Sequence, residues 1–122
     1  MRIAGRFCVV RRKDRVIPSF HPQTLSPRGS SLDIRVLPWD KSKMPLLLVS
    51  ASRKTGAATD RNKFRRRVRM AFLAVLRELP ALLGVSFVLW IRPARGNFKG
   101  CLIDYQDIEK QLKSSLSNLR RA

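Results

Sequence analysis

The sequence predicts an α+β domain, with helices laid on one small sheet. Three observations carry this. Phe64, Val68, Ala71, Phe72, Val75, Leu76 and Leu79 recur at three- and four-residue steps, the period of an amphipathic helix. Tyr105, Ile108, Leu112, Leu116 and Leu119 repeat that period near the end of the chain. Between and before them lie an alternating segment at 32–37 and apolar runs at 46–50 and 85–91, all of strand length. The order helix, strands, helix, strand, helix gives a two-layer sandwich.

Residues 2–13 suit a short first helix, with Ile3, Phe7 and Val10 on one side and Arg2, Arg6 and Arg12 outward; Gly5 weakens it. Residues 15–21 suit an edge strand, since Pro18 and Pro22 bar a central one. Residues 23–31, rich in Ser, Pro and Gly, read as a loop. Residues 32–37 alternate apolar and polar, which marks a half-buried strand, and 38–45 form a polar connection. The continuous run 46–50 reads as a buried strand. A loop over 52–60 leads into the long helix, with Thr59 or Asp60 as its cap and Pro80 as its stop. After the strand at 85–91 comes a basic loop, 92–100. Asp104 then caps the last helix, whose Asp107, Glu109, Arg120 and Arg121 suit its dipole. There is no internal repeat.

A chain of 122 residues makes about one domain, here 1–122, large enough for a core without staples. Its 26 Lys and Arg against 8 Asp and Glu leave a net charge of +18, while the apolar fraction of 44% is that of a globular protein. The excess is spread: +7 over 1–52, +7 over 53–78 and +4 over 79–122. Self-repulsion of this size disfavours a compact domain, and contact with a polyanion relieves it. Nucleic acid is favoured over an anionic membrane, because the apolar side of the basic helix is needed for the core. Cys8 and Cys101 are too few and too distant for a disulfide framework or a metal site, and read as reduced thiols. No run reaches membrane-spanning length, and the basic N-terminus lacks the apolar stretch of a secretory signal. A cytoplasmic location is therefore expected.

The densest chemistry lies in residues 61–69, where six of nine side chains are cationic. Arg61, Arg65 and Arg69 share one helical stripe, with Asn62 and Arg66 beside it. Like charges at this spacing cost a few tenths of a kcal/mol per pair, roughly. A sequence that accepts that cost repeatedly is built to meet phosphates, and Asn62 adds an amide to position phosphate or sugar. The acidic residues Asp14, Asp33, Asp40, Asp60, Glu78, Asp104, Asp107 and Glu109 form no compact metal-ligand cluster in sequence. Asp104, Asp107 and Glu109 read as the N-terminal end of a helix. His21 has no evident acid-base partner. No catalytic residue and no metal ligand is expected from this chain.

Residues 54–69, Lys-Thr-Gly-Ala-Ala-Thr-Asp-Arg-Asn-Lys-Phe-Arg-Arg-Arg-Val-Arg, resemble the signature of the bacterial ribonuclease P protein family. That signature is a Lys-x-Gly-x-Ala-x-x-Arg-Asn loop running into basic residues on a helix. Ser52, Arg53 and Lys54 are similar to the Ser-Lys-Lys ending the family's preceding strand. Met70 and Leu73 depart from it, standing where the family usually has Glu and a further basic residue. The segment 1–31 is divergent, and 32–122 forms the core. The resemblance implies three helices on a small mixed sheet, with a left-handed βαβ crossover through the Arg-Asn helix, against the usual hand. It implies partnership with a catalytic RNA that removes the 5′ leader of precursor tRNA. Catalysis then belongs to that RNA, which mainly holds Mg2+, and neither a membrane nor a second protein is required. Arg53, Lys54, Arg61, Asn62, Arg65, Arg66 and Arg69 would contact RNA. Phe7, Val10 and Arg35 would line a cleft for the leader, where aromatic stacking and basic side chains combine. Without a ligand, Phe7 is equally a core residue and Arg35 a solvated strand residue. Trp90, in an apolar strand, reads as core; Trp39, after Pro38 in a connection, reads as exposed, with stacking on a base only the lesser alternative.

Two rival readings share the charge. A ribosomal or ribosome-assembly RNA binder would look equally basic, and the Gly-Ala-Arg-Asn pattern argues against it. A stand-alone nuclease would need the carboxylate cluster that the sequence lacks.

Overall fold

Among the described residues, a five-stranded mixed sheet carries two helices on one of its faces. The computed structural model describes residues 8–9, 23–38, 45–84 and 86–121. In chain order the elements are β1 (Cys8–Val9), β2 (Gln23–Thr24), β3 (Leu32–Pro38), β4 (Leu46–Val49), α1 (Ala58–Glu78), β5 (Phe87–Pro93) and α2 (Tyr105–Arg121). Single 3-10 turns, Arg53–Thr55 and Pro80–Gly84, flank α1. The sheet order is β1-β4-β5-β3-β2. β4 is parallel to both β1 and β5, while β3 runs antiparallel to β5 and to β2. Because β4 and β5 are parallel neighbours joined through α1, the three form a βαβ crossover.

Alternation along the strands sorts side chains between two faces. Leu32, Ile34, Val36, Leu47, Phe87, Leu89 and Ile91 point to the helices. There they meet Phe64, Val68, Phe72 and Val75 from α1 and Ile108, Leu112 and Leu116 from α2, all within one core. The expected apolar stripes are therefore the buried ones as far as Leu79 in the first helix and Leu116 in the second, apart from the half-buried Tyr105; the side chain of Leu119 lies outside the described set. α1 ends where Pro80 follows: the Leu79 N–H bonds back to the Val75 carbonyl at 3.0 Å, and the chain tightens into the 3-10 turn. At the start of α2 the Ile108 N–H donates to the Asp104 carbonyl at 3.0 Å. In the turn over 27–30 the Ser30 N–H reaches the Pro27 carbonyl, and Gly29 supplies the φ of +86° that this turn requires.

Several expectations need correction. Two α-helices, not three, are found among the described residues. Of the expected first helix only Cys8–Val9 are described, and they form a parallel strand beside Leu46 and Leu47; its other residues lie outside the described set. Cys8 precedes two β-branched valines, which favour extended backbone, and Gly5 offers a helix little. The edge strand sits at Gln23–Thr24, inside the segment read as loop; residues 15–21 lie outside the described set. Two exposed polar residues pairing at a sheet edge leave no apolar signature to read. Neither Thr59 nor Asp60 caps α1: Ala57 holds the N-cap position, with no side-chain bond.

Candidate nucleic-acid interface

The segment before α1 is held by a small buried network. The Thr55 N–H and hydroxyl both donate to the Ser52 carbonyl, at 3.0 and 2.6 Å. The Thr55 carbonyl accepts from the Cys101 N–H at 2.9 Å, and the Cys101 thiol donates to Thr55 Oγ1 at 3.1 Å. The loop after β5 is thus clamped to the turn that carries Arg53 and Lys54, both of them exposed. Gly100 makes the clamp possible, since a Cβ there would come 2.2 Å from the Arg95 carbonyl oxygen. Cys101 is accordingly a buried structural thiol.

From this anchor α1 presents its basic side. Asn62, Arg66 and Arg69 are exposed, and Arg61 and Arg65 are half-buried. Arg65 is oriented by two acceptors, donating to Asn62 Oδ1 at 3.2 Å and to the Ala51 carbonyl at 3.4 Å. The buried Nε of Arg61 has no hydrogen-bond partner among the described residues. The ion pairs among the described residues join Asp33 to Arg35 and Arg92 and Glu78 to Lys113; none engages the α1 stripe, Arg53 or Lys54. These seven side chains lie on one turn and the helix that follows it, with their charge uncompensated by carboxylates among the described residues.

The sheet's second face carries a different set. Leu37, Leu46 and Val88 are buried on it, with Leu48 and Trp90 packed against them. Arg35 sits opposite Trp90, and Asp33 opposite Arg92. Trp90 is half-buried, not core: its Nε1 donates to Ser50 Oγ at 2.9 Å, and the Arg92 guanidinium lies over the ring, 5.3 Å from its centre. Asp33 accepts from Arg92 at 2.7 Å and from Arg35 at 3.1 Å. Burial alone would raise its pKa, but the two guanidinium hydrogen bonds and charges outweigh that and hold the carboxyl below its ordinary value. Arg35 therefore belongs to a cluster with Trp90 and Arg92 that sequence reasoning missed. The alternation of 88, 90 and 92 puts Trp90 and Arg92 on one face, but only strand register brings Arg35 beside them. Phe7, Val10 and Trp39 lie outside the described residues.

Three of the described carboxylates are engaged within the chain. Both Asp33 oxygens are taken by arginines, Glu78 is bound to Lys113 and Asp107 accepts from Ser31. No group of three or more metal-ligating side chains occurs among the described residues.

A small α+β domain whose crossover helix displays a row of unpaired arginines is a protein of the RNA-binding class. The family model described as Ribonuclease P matches residues 22–120. The chain belongs to that family. Its fold is similar to that of the Staphylococcus aureus RNase P protein, with a TM-score of 0.57 and 17% identity over 78% of this chain and 80% of that one. It is likewise similar to the RNase P protein from Thermotoga maritima, with a TM-score of 0.54 and 22% identity over 80% and 82% of the two chains. A mutant of the S. aureus protein with defective mRNA degradation activity also matches, with a TM-score of 0.57 and 17% identity over 81% of this chain and 75% of that one. No curated protein matches. No helix among the described residues is long and apolar enough to cross a membrane.

Proposed function

We propose that this chain is the protein subunit of ribonuclease P, acting in the cytoplasm with a catalytic RNA to remove the 5′ leader of precursor tRNA. The observation that carries this reading is the row Arg61, Asn62, Arg65, Arg66 and Arg69 on α1, continuous with Arg53 and Lys54 and unpaired by any described carboxylate. These residues bind phosphates of the catalytic RNA. Arg65 arrives preoriented by Asn62 and the Ala51 carbonyl, which lowers the entropy lost on contact. Arg35, with Trp90 and Arg92, contributes to the cleft for the single-stranded leader together with Phe7 and Val10, the tryptophan offering a stacking surface. The β4-α1-β5 crossover has the left-handed sense of the family. Hydrolysis belongs to the RNA, which holds the magnesium ions that supply its electrophilic and nucleophile-activating chemistry. The protein supplies binding and positioning, with no second protein needed.

The test is cleavage of precursor tRNA at low magnesium by the protein alone, a bacterial ribonuclease P RNA alone, and both. Cleavage at the mature 5′ end only in the combined reaction is expected. Cleavage by the protein alone would mean a nuclease site within this chain. RNA binding that leaves cleavage unchanged would favour a ribosomal role.

A further inference from the structure

The loop after β5 ends in an apolar tip that the core does not use. Phe98 is 62% exposed and Leu102 57% exposed, among the largest apolar surfaces of the described residues. The tip is built, not frayed. The Asn97 side chain accepts from the Lys99 N–H at 3.0 Å, and the Gly100 N–H bonds the Asn97 carbonyl at 2.9 Å. The Leu102 N–H bonds the Lys99 carbonyl at 3.0 Å, and Cys101 is tied to Thr55. It also stands beside the basic helix: the Phe98 carbonyl oxygen lies 3.6 Å from where a Gly56 Cβ would be, one residue before the Ala57 N-cap. Arg95 and Lys99 flank Phe98, and Arg53 and Lys54 lie on the turn to which the loop is clamped. All four are exposed, and none is paired among the described residues.

We propose that this loop is a second RNA contact, in which Phe98 stacks on an unpaired base of the catalytic RNA while Arg95 and Lys99 hold the adjacent phosphates. An exposed aromatic ring on a hydrogen-bonded loop among uncompensated cations suits a base on a polyanionic strand, since it supplies stacking and charge together. A protein partner or a membrane would use the ring's apolar surface without needing its planarity. The inference rests on the ribonuclease P reading and adds to it a contact outside the Arg-Asn helix.

Affinity for a bacterial ribonuclease P RNA, measured against salt, separates the possibilities. F98A should bind roughly five- to 150-fold more weakly, the range expected for loss of one stacked base, with an unchanged salt slope. F98Y should restore binding, and F98L should stay weak. R95A/K99A should make the slope shallower by about two units. Phe98 is exposed, so the melting temperature of F98A should match the wild type. Wild-type affinity in F98A, or rescue by F98L equal to that by F98Y, would overturn the stacking contact while leaving the ribonuclease P reading intact. A wild-type protein that neither binds this RNA nor promotes its cleavage would end both.

Discussion

Arg65 is a surface cation oriented by its own chain. Its guanidinium is shared between Asn62 Oδ1 and the Ala51 carbonyl, so its position is set before any ligand arrives. Arg65→Ala should weaken RNA binding and reduce the salt slope by about one unit, read from binding isotherms at several salt concentrations. An unchanged slope would show that Arg65 touches no phosphate. Asp33 plays the opposite part, as a carboxylate committed to two arginines of its own chain. Its folded-state pKa lies below the unfolded value, so its stabilisation is complete above the unfolded pKa and is lost as pH falls through the folded one. Acid titration of the unfolding free energy should therefore show the wild type losing its advantage over Asp33→Asn below about pH 4. An advantage that grows with acidification would refute the pairing. Among the glycines, position predicts opposite outcomes. Gly100→Ala drives a Cβ into the Arg95 carbonyl and should cost more than about 1 kcal/mol in denaturant unfolding. Gly56→Ala meets only ordinary contacts, the nearest at 3.4 Å, and should cost less. Equal losses would mean that the loop yields at Gly100.

At the scale of elements, α1 has two duties set by one sequence. Its apolar stripe, with Phe64, Val68, Ala71 and Phe72 wholly buried, fixes the helix on the sheet, and the same packing leaves the arginines outward. Its start is poorly capped: Ala57 has extended backbone, φ −65° and ψ 160°, but no side chain to bond the first N–H groups. Ala57→Ser should therefore raise stability by about 0.5–1 kcal/mol, measured by chemical denaturation. A destabilised variant would mean that the half-buried methyl packs better than a hydroxyl can bond. α2 is joined to β3 by polar contacts as well as by its apolar stripe. Gln111 donates to Ser31 at 2.7 Å and accepts from the Leu32 N–H at 3.3 Å. Helix periodicity exposed both apolar stripes in the sequence. The two-residue strands β1 and β2 are too short to carry a period, and β1 pairs with Leu46 and Leu47, far along the chain.

For the whole molecule, a charge of +18 on 122 residues governs behaviour in solution. Raising ionic strength from low to physiological should raise the melting temperature of the free protein, because screening over about 8 Å weakens self-repulsion. A falling melting temperature would mean that the few ion pairs outweigh that repulsion. The sequence by itself determined the α+β class, the long basic helix, its buried side and the arginine row, since each follows from residue identity and local period. It also carried the family, through an ordered run of residues in one continuous segment. Only the tertiary structure decided that Trp90 stands with Arg35 and Arg92 on the face away from the helices, and that the loop bearing Phe98 is clamped beside the Arg-Asn helix. Those placements depend on strand register and on a hydrogen bond between residues 46 positions apart, which no local pattern encodes.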